Sequence, residues 1–262
     1  MRLATWNVNS VTARLPRLLP WLEETSPDVV ALQETKTASF PSAEVEALGY
    51  EVAHNGDGRW NGSAILSRVG LSDVALSFPG QPGYANEDDA LLTVPVVEAR
   101  AVGATCGGLR VWSLYVPNGR SVDHPHYTYK LAWLSALRDA LASEVGPLVV
   151  TGDFNIAPTD DDVWDISDFV GSTHVTAPER NALTALRDLG LRDVMPRALK
   201  YDTPFTYFDY RAGMFHKNKG MRIDLVYASA EVKVSDAYVD REARKGTGPS
   251  DHCPVVVDLA LT

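Results

Sequence analysis

The chain has 262 residues, 45% of them hydrophobic and 22% charged, with a formal charge of −10. This balance suits one folded domain over residues 1–262 and excludes a disordered or fibrous chain. No run approaches the ~18 apolar residues of a membrane span, and the N-terminus lacks a secretory leader, so a cytoplasmic protein without a membrane partner is expected.

Leu3 to Val8 reads as a strand, followed by a helix with Leu15, Leu18, Leu19 and Leu22 on its apolar side, with Pro20 tolerable only in the first turn. Val29 to Leu32 reads as a compact buried strand. Val111 to Val116 runs into Pro117-Asn118-Gly119, and Leu148 to Val150 runs into Thr151-Gly152-Asp153-Phe154-Asn155. Between them a helix is predicted with Leu131, Leu134, Leu137 and Leu141 inward and Lys130 and Arg138 turned to solvent. Asp160, Asp161 and Asp162 follow Pro158-Thr159 and read as acids at a helix N-terminus. Ile223 to Tyr227 and Val255 to Leu261 are the last strands. Strands apolar on both sides favour two sheets packed face to face with helices outside. A doubly wound sheet is the alternative, but no Gly-rich phosphate loop follows the first strand.

Cys106 and Cys253 stand apart from any Cys/His cluster and read as buried, reduced thiols. The negative charge opposes indiscriminate nucleic-acid binding, which draws on Lys and Arg. Basic residues do fall close together at Arg197, Lys200, Arg211, Lys217, Lys219 and Arg222, and again at Arg241, Arg244 and Lys245. They are expected to gather on one face.

Several strands end at Asn, Asp or Glu. Asn7, Glu34, Asp153, Asn155, Asp224 and Asp251, with His252 beside the last, supply the oxygens that hold hard divalent ions. Such ions neutralise a phosphate and activate water, so the set points to phosphodiester hydrolysis. Singly, each residue has a plain structural account as a turn, cap or ion-pair partner.

Thr5-Trp6-Asn7-Val8-Asn9-Ser10, Leu32-Gln33-Glu34-Thr35-Lys36, Tyr115-Val116-Pro117-Asn118-Gly119, Gly152-Asp153-Phe154-Asn155, Arg222-Ile223-Asp224 and Ser250-Asp251-His252-Cys253-Pro254 resemble, in order, the motifs of the exonuclease III class of abasic-site endonucleases. The resemblance covers nearly the whole chain. It implies a four-layer α/β/β/α sandwich like that of DNase I, with magnesium or manganese in the site. It implies Glu34 as principal metal ligand, with Asn7 and Asp251 near the same ion, and Asp153 orienting or deprotonating the attacking water. Asn155 would steady that water. Another arrangement in the family places a second ion near Asp153, Asn155 and His252. Asp224 would fix the His252 ring, and Tyr115 would face the phosphate with Asn118 close by.

The stretch Phe205 to Arg211, with Asn218 to Asp224, resembles the family's substrate-facing loops. Tyr207, Met221 and Ile223 are assigned to a pocket for a base-less sugar, with Phe208 beside it and Arg211 nearby. Relatives often carry tryptophan at the position of Tyr207 or Phe208, and this chain has none there. Arg100, in Glu98-Ala99-Arg100, is expected to support the site. His174 is expected to make a structural hydrogen bond, and His124 and His126 precede the long helix where DNA backbone could pass.

The activity so implied is incision on the 5′ side of abasic sites in double-stranded DNA, with 3′-to-5′ exonuclease and 3′-phosphatase action on blocked ends, by a monomer. The alternatives are a phosphodiesterase acting on an inositol phosphate, a phospholipid or RNA, and a catalytically idle DNA-binding protein on the same scaffold.

Overall fold

A computed structural model describes residues 1–85 and 94–262. The first sheet is built from β1 (Arg2–Asn7), β2 (Val29–Gln33), β3 (Glu51–Asn55), β4 (Ser63–Ser67), β10 (Arg197–Ala198), β12 (Val232–Val239) and β13 (Val255–Leu261), in the order β10-β12-β13-β1-β2-β4-β3. The second contains β5 (Ser72–Ala75), β6 (Ala101–Cys106), β7 (Leu109–Tyr115), β8 (Leu148–Asp153), β9 (Arg192–Asp193) and β11 (Asp224–Ala228), in the order β5-β6-β7-β8-β11-β9. The chain is an α/β/β/α sandwich of the expected class, and the doubly wound alternative is excluded.

Alternation along the strands divides the core into layers. Leu3 and Val29 face the space between the sheets, while Ala4, Trp6, Val30 and Leu32 face α1 (Val11–Thr25) and α2 (Ser42–Glu46). On the second sheet Val149 points inward, while Leu148 and Val150 meet α3 (Pro125–Leu141) and α4 (Ala177–Asp188). Both cysteines are free and buried in the middle layer. Gln33 spans that layer, donating to Thr5 Oγ1 and Ser113 Oγ at 3.1 Å, and Ser113 Oγ donates to the Leu32 carbonyl at 3.0 Å. This polar bridge fixes the spacing of the two sheets just beneath the strand ends that carry the site.

Two expectations are corrected. Pro16 and Pro20 both lie inside α1, beyond its first turn. Both are exposed and one turn apart, so the helix bonds they delete open onto solvent. Lys130 is not turned to solvent: it is completely buried and forms an ion pair with the equally buried Glu179. Arg138 is exposed as expected.

The basic residues do not gather into one free face. Arg222 is buried against Asp162 and Asp193, Arg197 pairs with Asp236, and Arg211 pairs with Asp209. Arg241 and Arg244 are buried against the rings of Phe208, Phe215, Tyr201 and Tyr210. Much of the apparent cluster is consumed in holding the fold together. Among the described residues, no helix is long and apolar enough to cross a membrane.

Candidate active site

The parallel pairs β1–β2 and β7–β8 end at the same edge of the sandwich. Antiparallel β11 and β13 begin there. Tyr115, Asp153 and Asp224 occupy one row across β7, β8 and β11, because Tyr115 pairs with Asp153 and Asp153 with Asp224. Asn7 ends β1 beside Gln33, and the backbone then turns at Glu34, whose φ is +52°. Residues far apart in sequence thus meet without any long excursion of the chain.

The Asn7 amide is the hub. Its Nδ2 donates to Glu34 Oε1 at 2.8 Å and to Asp153 Oδ2 at 2.9 Å. His252 Nε2 lies 3.9 Å from Asp153 Oδ2, and its Nδ1 lies 2.8 Å from Asp224 Oδ2. Ligand atoms of Glu34, Asp153 and His252 all fall within 4.8 Å of one another. Lys36 pairs with Glu34 at 2.6 Å.

These charges are buried, and their equilibria respond. Burial works against the Glu34 carboxylate, but Lys36, the Asn7 amide and His252 outweigh it and hold its pKa below normal. For Asp153, burial and the neighbouring Asp224 and Glu34 charges outweigh His252, so its pKa rises above the usual carboxylate range. Burial opposes the charged His252 ring, yet the Asp224 carboxylate overcomes it, with help from Asp153 and Asp251, and pushes its pKa up to about 10. The ring therefore carries its proton at neutral pH.

The donor set fits a hard divalent cation. Carboxylate oxygens of Glu34 and Asp153 converge within coordination reach, with the Asn7 amide nitrogen donating to both, and burial together with the Asp224 and Glu34 charges raises the Asp153 pKa, a penalty that a cation would relieve. Asp224 Oδ1 is also buried without a partner.

The other expected site residues fall into three groups. Tyr115 stands beside Glu34 and Asp153; burial, with Glu34 as the next cause, raises its pKa well above normal, so it remains a phenol. Arg100 stacks over its ring at 4.8 Å and pairs with Glu98, which gives it the expected supporting place. Asn155 uses its side chain to bond the Val116 carbonyl and to accept from Asn118 Nδ2 at 3.0 Å, while its backbone N–H donates to Asp153 Oδ1. Asp251 accepts from Asn9 Nδ2 at 3.1 Å and lies outside the compact Glu34, Asp153 and His252 group.

Beside His252 opens a cleft of about 420 Å³. Tyr207, whose ring lies 4.9 Å from that of His252, and Met221 form part of its wall. Ile223 is buried behind Met221. Phe208 is not on this surface: it is fully buried between Phe205, Phe215 and the Arg241 guanidinium. The Arg211 side chain is 88% exposed and outside the cleft, paired with Asp209, which lines it.

Trp164 was missed. It lines the cleft with Lys219 3.7 Å over its ring, and its backbone N–H bonds the Gly220 carbonyl. Nothing in the local sequence marks Trp164, because it reaches the cleft through the Val163–Met221 bridge between distant loops. Arg120 and His174 also line the wall. His174 makes the expected structural hydrogen bond, from its Nδ1 to the Asn155 carbonyl. His126 accepts from the Gly119 N–H and is buried.

Residues 4–252 match the family described as Endonuclease/Exonuclease/phosphatase. The chain is 30% identical to exodeoxyribonuclease III of Haemophilus influenzae, over 97% of this chain and 98% of that one. Among solved structures, a 3′ phosphatase, NExo, from Neisseria bound to product DNA hairpin is 35% identical, with a TM-score of 0.89 and 99% of each chain covered. An AP endonuclease from Archaeoglobus fulgidus is 32% identical, with a TM-score of 0.88 and 100% of each chain covered.

Proposed function

Because the chain belongs to the endonuclease/exonuclease/phosphatase family of nucleases, we propose that it is a magnesium-dependent DNA repair hydrolase that incises 5′ to abasic sites and trims blocked 3′ ends. The observation that carries this reading is the convergence of Glu34, Asp153 and His252 around the Asn7 amide, beside an aromatic-lined cleft. Manganese would satisfy the same oxygen donors. Double-stranded DNA is the substrate, and a cytoplasmic monomer suffices, since one chain carries the whole set.

Glu34, Asn7 and Asp153, with Asp251 adjoining, are the residues to hold the cation, which when bound offsets charge on the scissile phosphate. Asp153 is the residue to accept a proton from water, a role supported by its carboxylate being buried, held by Asn7 and Asn155, and of raised basicity. The charged His252 ring, steadied by Asp224, donates to a phosphate oxygen. Tyr115, kept as a phenol, donates to another or assists the leaving oxygen. Asn155 and Asn118 hold the rim on which the water and phosphate sit. Tyr207, Met221 and Trp164 offer a flat apolar wall to a sugar without its base.

Removal of a 3′-phosphate without incision at abasic sites is a second reading within the same chemistry, favoured by the 35% identity to a Neisseria 3′ phosphatase. One experiment separates them. Three duplexes are compared with magnesium or with chelator: one with an abasic analogue, one ending in 3′-phosphate, one undamaged. The proposal expects metal-dependent incision at the lesion at least tenfold faster than at undamaged positions. Release of phosphate without incision would establish the second reading instead, and equal cutting of all three would make the protein a general nuclease.

A further inference from the structure

Lys130 and Glu179 are both fully buried, on α3 and α4 respectively, away from the carboxylate cluster. An internal ion pair is no better for stability than apolar side chains of the same volume, because both charges must be stripped of water. What this pair adds is direction. Lys130 Nζ donates to the carbonyl of Asn155 at 2.8 Å, to the carbonyl of Asn118 at 3.2 Å and to Glu179 Oε1 at 2.5 Å. Glu179 Oε1 also accepts from Thr173 Oγ1 at 2.6 Å and from the His174 N–H at 2.9 Å. Three separate segments, after β7, after β8 and before α4, are therefore tied to one ammonium and one carboxylate.

The chain of bonds leads directly to the site. Asn155 has φ +52°, a left-handed conformation that turns its carbonyl toward Lys130. The N–H of the same residue donates to Asp153 Oδ1 at 2.9 Å. Its side-chain oxygen accepts from Asn118, whose own carbonyl is the other loop acceptor of Lys130. Removing the ammonium would leave the Asn155 carbonyl to His174 Nδ1 alone and the Asn118 carbonyl to Thr173 Oγ1 alone, loosening both loops at once and letting Asn155 shift from its left-handed conformation.

We propose that Lys130 and Glu179 are positioning residues for hydrolysis, holding Asn155, and through it the Asp153 carboxylate, in the reactive orientation. This rests on the functional reading above. A misplacement of about 1 Å at a reacting group costs on the order of 10²-fold in rate. Steady-state hydrolysis and melting temperature are measured for the wild type, Lys130→Met, and the double variant Lys130→Met with Glu179→Gln. The double variant leaves no unpaired buried charge, so its melting temperature should recover toward the wild type.

The expected result is a kcat lowered by roughly 10²-fold in both variants, with KM changed only a few-fold, even where stability has recovered. If kcat recovers together with stability in the double variant, the pair is merely structural and the inference falls. A wild type that hydrolyses none of the substrates overturns the functional reading itself, and the inference with it. An active wild type with an equally active Lys130→Met overturns the inference alone.

Discussion

At Gly152 the backbone φ is +141°, and a Cβ there would meet the Leu114 carbonyl oxygen at 2.0 Å. That clearance lets β7 and β8 bring Tyr115 and Asp153 side by side. Gly152→Ala should therefore cost more than about 3 kcal/mol, combining backbone strain with a clash against main chain that cannot move aside. Chemical denaturation measures it, and a loss under 1 kcal/mol would refute the packing argument. Asp153→Asn tests the neighbouring residue: it should retain the fold yet lose at least about 10²-fold in single-turnover cleavage, the scale of a lost general base. Near-normal turnover would remove Asp153 from the mechanism. That Asn7, Glu34 and Asp153 emerge at a sheet edge was legible in the sequence because each ends or directly follows an apolar strand, whereas His252 was marked only by its place beside Asp251 and by the family resemblance. Lys130 was not legible, since helical spacing cannot show that a cation beside the apolar stripe meets a buried carboxylate on another helix.

The helices hold two further tests at the scale of elements. In α1, Pro16 and Pro20 face solvent and delete helix bonds without filling core space. Replacing Pro20 by alanine should stabilise the protein by about 1–3 kcal/mol, and a lowered melting temperature would mean the ring contributes packing. At the start of α3, the buried His126 ring accepts the Gly119 N–H through Nδ1. Burial, reinforced by Arg100, lowers its pKa to about 4 from an ordinary 6.5. Because the unfolded chain takes up the proton first, this contribution is complete above pH 6.5 and is lost as pH falls toward 4. Melting temperature should decline across that window, and His126→Asn should flatten the decline; an unchanged slope would contradict it. Six of the strands, β1, β2, β7, β8, β11 and β13, were readable as short apolar runs beside polar residues. Pro20 was misjudged because the rule confining proline to a first turn assumes a helix whose freed carbonyls have no access to water.

At the scale of the molecule, the proposed substrate of a chain of charge −10 is itself a polyanion. The arginines that looked like a basic face are turned to carboxylate partners, buried at Arg222 and exposed at Arg197, and to aromatic stacks, which sequence proximity could not reveal. Arg120 and Lys219 line the cleft. Few phosphate contacts are then available, so the logarithm of DNA affinity should fall with that of salt with a slope of about −3, as ~3–4 neutralised phosphates would give. A slope near −10 would require an extended basic surface. The sandwich architecture was legible as two-sided apolar strands, whereas the cleft wall was not: it arises where loops 163–164, 205–208 and 219–222 bridge one another. The claim on which the rest depends is that the strand-end acids hold a divalent cation. Titration of Mn²⁺ followed by electron paramagnetic resonance tests it directly: the wild type should remove free Mn²⁺ from the spectrum stoichiometrically, and Glu34→Gln should weaken that uptake at least tenfold. Equal uptake by both proteins would contradict the account.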